Sequence, residues 1–144
     1  MNTLRFIVLS SILFLASCIG CKTVSREEVT SVKSPDGRVE AALYETNGGA
    51  TSSFEYEVEL RQAGRRGLQV ASIYGAVRNE NAYGLNMKWN GNDELDIEYL
   101  RAKAPPNIQS TTNIDGRNVR VIVKDGITDP SAPSGGMLYN LKRK

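Results

Sequence analysis

The chain has 144 residues, and its 18 lysine and arginine residues nearly balance 16 aspartate and glutamate residues, for a net charge of +2. A surface so close to neutral argues against a nucleic-acid partner, which usually requires a concentrated basic face. The chain has no histidine, so Ser-His-Asp and Cys-His catalysis are excluded and the commonest metal ligand is missing. We therefore expect no catalytic residue, no metal and no cofactor.

The amino-terminal segment has the pattern of an export signal. One arginine precedes an apolar stretch, residues 6–16, whose length is that of a signal-peptide core. The stretch is shorter than the roughly 20 apolar residues that a bilayer-spanning helix needs. An ordinary secretory cleavage site has an A-x-A-like pattern, which Ala16-Ser17-Cys18 fits poorly. A signal in which Cys18 itself is modified explains the segment better.

The run Leu15-Ala16-Ser17-Cys18 is similar to the lipobox of bacterial lipoproteins, with a leucine three residues before a cysteine and two small residues between them. The resemblance implies diacylglyceryl transfer to the Cys18 thiol, cleavage before Cys18 and acylation of the new amino group. Two or three acyl chains anchor a protein stably, whereas one chain binds only marginally. Residues 1–17 are thus expected to be a signal peptide. The resemblance also implies an outer-membrane location if the host has two membranes, since the residue after Cys18 is not aspartate.

Cys21 is a second candidate for acylation, but Cys18 would then stand where a branched aliphatic residue is usual. With Cys18 acylated, Cys21 has no partner within the chain, so the domain is expected to fold without a disulfide despite its oxidising destination. Core burial must then supply the stability. We expect a lipidated tether over residues 18–28, an all-β domain over residues 29–125 and an irregular tail over residues 126–144.

Strand-like runs separated by turn signals recur roughly every 10–15 residues from residue 29 onward. Residues 54–61 are the clearest, because apolar and charged residues alternate with period two. Asn90-Gly91 and Asp115-Gly116 predict hairpins. No segment has a sustained apolar period of 3.6. The pattern predicts an antiparallel meander of about eight short strands that forms a sandwich or a strongly curved sheet.

The same alternation predicts which side chains of residues 95–99 face the core. Leu95, Ile97 and Tyr99 are expected inside, with Asp96 and Glu98 outward. Trp89, before the Asn90-Gly91 turn, and Tyr99 are expected to fill the core across the hairpin.

The loop over residues 46–53 is the most unusual segment, because two glycines stand among hydroxyl-bearing residues. Backbone N–H groups around glycines can form an anion-binding nest. The loop lacks the lysine of a P-loop and no helix follows, so a flexible connection capped by serine and threonine is the favoured interpretation. Tyr83, in a polar loop, is expected on the surface. The candidate ligand-binding residues are Gly48, Gly49, Thr51, Ser52, Ser53 and Tyr83.

Acidic residues form two stripes, at residues 55–59 and residues 93–98. Such stripes can bind calcium or supply paired carboxylates for glycan hydrolysis. More often they are the solvated face of a sheet, paired with basic residues across strands. The second interpretation is favoured, because residues 90–94 lack the EF-hand pattern.

Three motifs of the remaining chain resemble a small family of bacterial lipoproteins of unknown function. They are Ser34-Pro35-Asp36-Gly37, the loop over residues 48–54, and Gly136-Met137-Leu138-Tyr139-Asn140. The resemblance implies the same anchored location. It implies no activity and no catalytic residues.

Two functions from different classes remain. The first is a non-enzymatic domain, held on the bilayer through acylated Cys18, that binds an envelope protein or glycan through an edge strand or the loop over residues 48–53. The second is a small histidine-free hydrolase acting on envelope glycans through carboxylates such as Glu57 and Asp96. Two carboxylates converging in a pocket would indicate the hydrolase. We favour the first, because a small sandwich rarely has the cleft that such carboxylates need.

Overall fold

The computed structural model describes residues 25–49 and 51–135. Within these ranges the chain is all-β and forms no helix, which confirms the predicted class. The predicted signal peptide, Cys18, Cys21 and residues 136–144 lie outside the described residues. The strands are β1 (Ser25–Lys33), β2 (Glu40–Asn47), β3 (Phe54–Arg61), β4 (Leu68–Tyr74), β5 (Val77–Asn79), β6 (Ala82–Tyr83), β7 (Asn86–Trp89), β8 (Glu94–Glu98), β9 (Asn107–Ile108), β10 (Thr111–Ile114) and β11 (Arg117–Lys124).

Two larger sheets and one two-stranded ribbon make up the fold. The strand orders are β1-β2-β3-β4-β9, β10-β11-β8-β7 and β5-β6. Every pair is antiparallel except β8 and β11, which are parallel. The parallel pair departs from the predicted meander. It arises because the chain between β8 and β11 crosses to the five-stranded sheet as β9 and returns as β10.

The two larger sheets face each other across one hydrophobic core. In β3, Phe54, Tyr56, Val58 and Leu60 are buried while the alternate residues remain partly exposed, as the period-two pattern predicts. Side chains of β2, β4, β7, β8 and β11 complete the same cluster. The strongest predicted strand therefore lies in the middle of the five-stranded sheet.

The expectation that Asp96 and Glu98 are solvated is wrong. Asp96 is 3% exposed and Glu98 is 9% exposed. Lys124 donates to Asp96 Oδ2 at 2.5 Å, and Lys88 donates to Glu98 Oε2 at 2.6 Å. Both carboxylates alternate with core residues along β8, and the long lysine side chains shield them from water on the other face of the strand.

The boundary between tether and domain also differs from the prediction. β1 begins at Ser25, so residues 25–28 belong to the five-stranded sheet. Arg26 reaches across the outer face of that sheet, where its guanidinium lies 2.7 Å from Glu57 and 2.6 Å from Glu59. These ion pairs explain why a polar segment with no apolar pattern continues as a strand.

One end of the five-stranded sheet is marked by the residues at which its strands begin or end. Ser25 pairs with Asn47, Asn47 pairs with Phe54, and Tyr74 pairs with Glu55. We call this end, defined by Ser25, Asn47, Phe54 and Tyr74, the tether end. The opposite end carries the turns over residues 34–37, 62–67, 90–93 and 115–116.

Residues 126–135 form no strand, and they are packed against the domain. The Gly135 N–H donates to Glu45 Oε2 at 3.0 Å, and Tyr56 donates to the same oxygen at 2.6 Å. Glu45 is completely buried, and its Oε1 has no hydrogen-bond partner among the residues that the structure describes. This desolvation raises the pKa of Glu45 against the opposing effect of its hydrogen bonds.

Two leucine substitutions test the position of the core. Leu43→Ala removes a fully buried side chain and is expected to lower the free energy of unfolding by about 2–5 kcal/mol. Leu68→Ala makes the same chemical change at a side chain that is 47% exposed, and its effect should stay within about 0.5 kcal/mol. Urea denaturation of both variants measures the difference. Equal losses would contradict the described core.

Glu45→Gln tests the buried carboxyl. Because its pKa is raised in the folded state, Glu45 stabilises the fold at low pH, and this contribution is lost as the pH rises through the folded-state pKa. The variant lacks this titration. The free energy of unfolding of Glu45→Gln, measured relative to the unmodified chain, should therefore increase between pH 5 and pH 8. A difference that is independent of pH would contradict the assignment.

Candidate functional site

Three backbone N–H groups of the loop that follows β2 are hydrogen-bonded to other groups of the protein. Asn47 Oδ1 accepts from the Gly49 N–H at 2.9 Å, and the Gly49 carbonyl accepts from the Ser52 N–H at 3.0 Å. The Ser53 N–H donates to the Tyr74 hydroxyl at 2.8 Å. These three N–H groups therefore do not form an open anion-binding nest.

Ser53, at the end of this loop, belongs instead to a cluster of polar side chains. Lys103 Nζ donates to Ser53 Oγ, and Ser53 Oγ lies 3.5 Å from the Tyr83 hydroxyl. The Lys103 ammonium also lies 6.0 Å from the centre of the Tyr83 ring. We call Ser53, Tyr83 and Lys103 the Lys103 cluster. It brings together residues from three separate parts of the chain.

The backbone around β4 positions Lys103. The Lys103 N–H donates to the Tyr74 carbonyl at 2.9 Å, and the Gly75 N–H donates to the Phe54 carbonyl at 2.8 Å. Gly75 has a φ of +67°, and a Cβ there would lie 2.7 Å from Lys103 Cγ. Glycine is thus required both by the left-handed backbone and by the close passage of the lysine side chain.

Tyr83 is not the freely exposed residue that the sequence predicts. Its ring packs edge-on against Phe54, with the ring centres 5.2 Å apart and an interplanar angle of 81°. The ring is half-buried against the core, and only its hydroxyl end points to the cluster. Edge-to-face packing fixes the phenol in place and so fixes the geometry of the Lys103 cluster.

The electrostatics of the cluster favour negative charge. The hydrogen bond with Ser53 and the nearby Lys103 ammonium lower the pKa of Tyr83, against the opposing effect of partial burial. Because Ser53 Oγ accepts from Lys103, the Ser53 hydroxyl proton is free to be donated to Tyr83. Among the residues that the structure describes, Lys103 forms no ion pair.

An open cavity of about 260 Å³ adjoins the cluster. Tyr83 and Lys103 line it together with Gly75 and Val77, and Arg101 lies at its rim in an exposed ion pair with Glu80. Exposed pairs of this kind contribute little to stability, so Arg101 is available to a ligand at small cost. The remaining lining residues are Glu80, Asn81, Ala82 and Ala102.

A second depression, of about 460 Å³, lies at the opposite end of the domain and includes Arg38 and Arg117. Arg117 is already paired with Asp36, and its Nε lies 3.3 Å from Asp93. The guanidinium that dominates this depression is therefore neutralised by the protein itself. Its ion pairs connect the turns over residues 34–37 and 90–93, so Arg117 has a structural role in this depression.

The carboxylates of the hydrolase hypothesis do not converge. Glu57 lies on the outer face of the five-stranded sheet, and Asp96 lies on the outer face of the four-stranded sheet, with the core between them. Each is paired with a cation, Arg26 and Lys124 respectively. In the described ranges, no group of three or more acidic or cysteine residues is arranged to hold a metal ion.

The edge of the five-stranded sheet at β1 gives limited room for strand addition. β1 lies at the edge of the five-stranded sheet, but its pairing with β2 shifts register between Glu28 and Thr30. A bulge and charged residues on an edge strand oppose pairing with another chain. The loop and cluster at the tether end are therefore a better contact surface than the edge of β1.

The structure thus brings together two of the residues selected from the sequence, Ser53 and Tyr83. Gly48, Gly49, Thr51 and Ser52 lie in the adjoining loop, but no described contact joins them to the cluster. Lys103 was missed, because nothing near Ala104-Pro105-Pro106 distinguishes this lysine from an ordinary surface residue. The glycine at position 75 is the one local feature of the sequence that indicates a side chain passing close to the backbone there.

The fold and the site define a small all-β domain with an open cleft at one end, where Lys103 and Tyr83 meet. The chain matches no protein-family profile, no curated protein and no solved structure. Within the described residues, no helix is long and apolar enough to span a bilayer. Function must therefore be inferred from the geometry of this chain.

Lys103→Ala tests the coupling within the cluster. Removing the ammonium destabilises the phenolate form of Tyr83, so the pKa of Tyr83 should rise. Carbon-13 NMR of the labelled tyrosine rings, followed against pH, measures the shift. Lys33→Ala, an exposed lysine at the opposite end of the sheet, is the matched control and should leave Tyr83 unchanged. Equal effects of the two variants would refute the coupling.

Proposed function

We propose that the chain is a lipid-anchored, extracytoplasmic, non-enzymatic domain that binds another component of the cell envelope at its tether end. The lipobox similarity of Leu15-Ala16-Ser17-Cys18 supports the anchor. The short distance in sequence between Cys18 and the first strand supports a domain held close to the membrane.

The observation that carries the binding proposal is the convergence of the Lys103 cluster beside an open cavity. Lys88 and Lys124 are held by buried carboxylates and serve the fold. Lys103 has hydroxyl partners only, among the residues described, and its charge is directed to the surface. An ammonium with no acidic partner, placed beside two hydroxyls, is suited to hold a negatively charged or hydroxyl-rich group of a partner.

Cys18→Ala tests the anchor. The chain without the substitution should be recovered in the membrane fraction as a protein that begins at Cys18 and carries the mass of its acyl chains. The variant should lose that added mass and leave the membrane fraction. Intact-mass spectrometry reads both outcomes. A mature chain that begins elsewhere, without acyl chains, would refute the lipoprotein assignment.

Site-specific photocrosslinking in intact cells tests the contact surface. A photoreactive residue at Ser52, an exposed loop position beside the cluster, should give a discrete adduct with a protein, glycan or lipid. The same residue at Arg66, an exposed position at the opposite end, is the matched control and should give none. Lys103→Ala should abolish the Ser52 adduct. Adducts of equal yield at both positions would contradict a binding surface at the tether end.

A further inference from the structure

The point at which the chain enters the domain limits how the domain can lie on a membrane. Cys18 precedes Ser25 by a segment that spans at most about 25 Å when fully extended. β1 then runs from the tether end to the opposite end, a distance of about 30 Å for nine residues. An anchor at Cys18 therefore keeps the tether end near the bilayer and favours holding the opposite end away from it.

The Lys103 cluster lies at this same end. Ser25 and Tyr74 are separated by three strand spacings, or about 15 Å. The Lys103 N–H is bonded directly to the Tyr74 carbonyl. Tyr74 is one of the two large hydrophobic residues that remain exposed in the described part of the chain. Tyrosine is favoured where an apolar body meets a polar surface, as at a membrane interface.

Further cations flank the tether end in the sequence. Lys22 belongs to the tether, and Lys142, Arg143 and Lys144 follow Gly135 within nine residues. Gly135 is bonded to Glu45, which lies two residues from the end of β2 at the tether end. Clustered cations close to an anionic membrane add to the binding supplied by acyl chains.

We propose that the tether end lies on the membrane surface and that the Lys103 cluster binds the phosphate of an anionic phospholipid headgroup. This inference rests on the proposed lipid anchor and names the partner of the same site. A phosphate diester offers only acceptors, whereas the cluster offers the remaining N–H groups of the Lys103 ammonium and the Tyr83 hydroxyl, which accepts from Ser53 and can donate its own proton. Arg101 lines the same cavity and adds a second cation when it releases Glu80, its partner in an exposed ion pair.

The size of the cavity also fits this partner. Pockets for small organic ligands usually have volumes of about 300–1,000 Å³ and bury most of the ligand. The cavity beside Lys103 is smaller, about 260 Å³, and open. Because it is open, a charged group presented by a surface can reach Lys103 without being enclosed.

Hydrogen-exchange mass spectrometry on the full acylated chain tests the proposal. The protein is reconstituted in vesicles of phosphatidylcholine alone or in vesicles that also contain phosphatidylglycerol. With phosphatidylglycerol, exchange of the backbone amides in residues 48–56 should slow by about five-fold, the effect expected of one lysine at an anionic surface. Peptides over residues 61–68, at the opposite end, should show no change.

Two variants and one free anion complete the experiment. Lys103→Ala should abolish the protection, whereas Arg66→Ala, which removes an equally exposed cation at the opposite end, should retain it. Three results would overturn the inference. They are equal protection in both vesicle types, no protection in either, and the same protection when inorganic phosphate is added to phosphatidylcholine vesicles. The last result would assign the cluster to free anions. The intact mass of the reconstituted chain shows separately whether the acyl anchor is present. A missing anchor is therefore distinguished from an anchored chain whose Lys103 cluster does not bind the headgroup.

Discussion

Burial of alternate side chains along β3 is the constraint on which the rest of the structure depends. β3 is the middle strand of the five-stranded sheet, so its register determines those of β2 and β4 on either side. A slip of one residue would exchange Tyr56 and Val58 for glutamates in the core, which no partner there could compensate. With the register determined, Ser53 must lie beside the end of β4. The position of the candidate site thus follows from burial of the core.

Charged residues stabilise this arrangement by pairing on the outer faces of both sheets. Arg26 joins β1 to β3, and Lys124 covers Asp96. Two buried carboxylates are nevertheless incompletely satisfied by the described residues, among which Glu45 Oε1 and Asp96 Oδ1 have no partner. An unpaired buried oxygen costs stability. For Glu45, the compensating gain is two hydrogen bonds: one comes from Tyr56, and the other comes from the Gly135 N–H and holds the carboxyl-terminal segment against the domain.

Lysines in this domain serve two different purposes, and the difference lies in their partners. Lys88 and Lys124 neutralise buried carboxylates, so their charge is consumed within the fold. Lys103 is held by hydroxyls beside a cavity, and its charge remains available. It also lies at the end of the sheet where the chain enters and where the carboxyl-terminal segment is attached. The proposed anchor and the proposed binding surface therefore share one end of the molecule.

The sequence by itself determined the all-β class, the alternation of β3 and the hairpin at Asp115-Gly116, because these depend on period-two burial and on turn chemistry between neighbours. The lipobox at Cys18 also comes from the sequence alone, and it stays a prediction. Only the tertiary structure decided the parallel pairing of β8 with β11 and the burial of Asp96. It also brought Lys103 next to Ser53, fifty positions away. Local patterns report which face of a strand is buried, but they carry no information on which distant strand becomes a neighbour or which lysine shields a carboxylate.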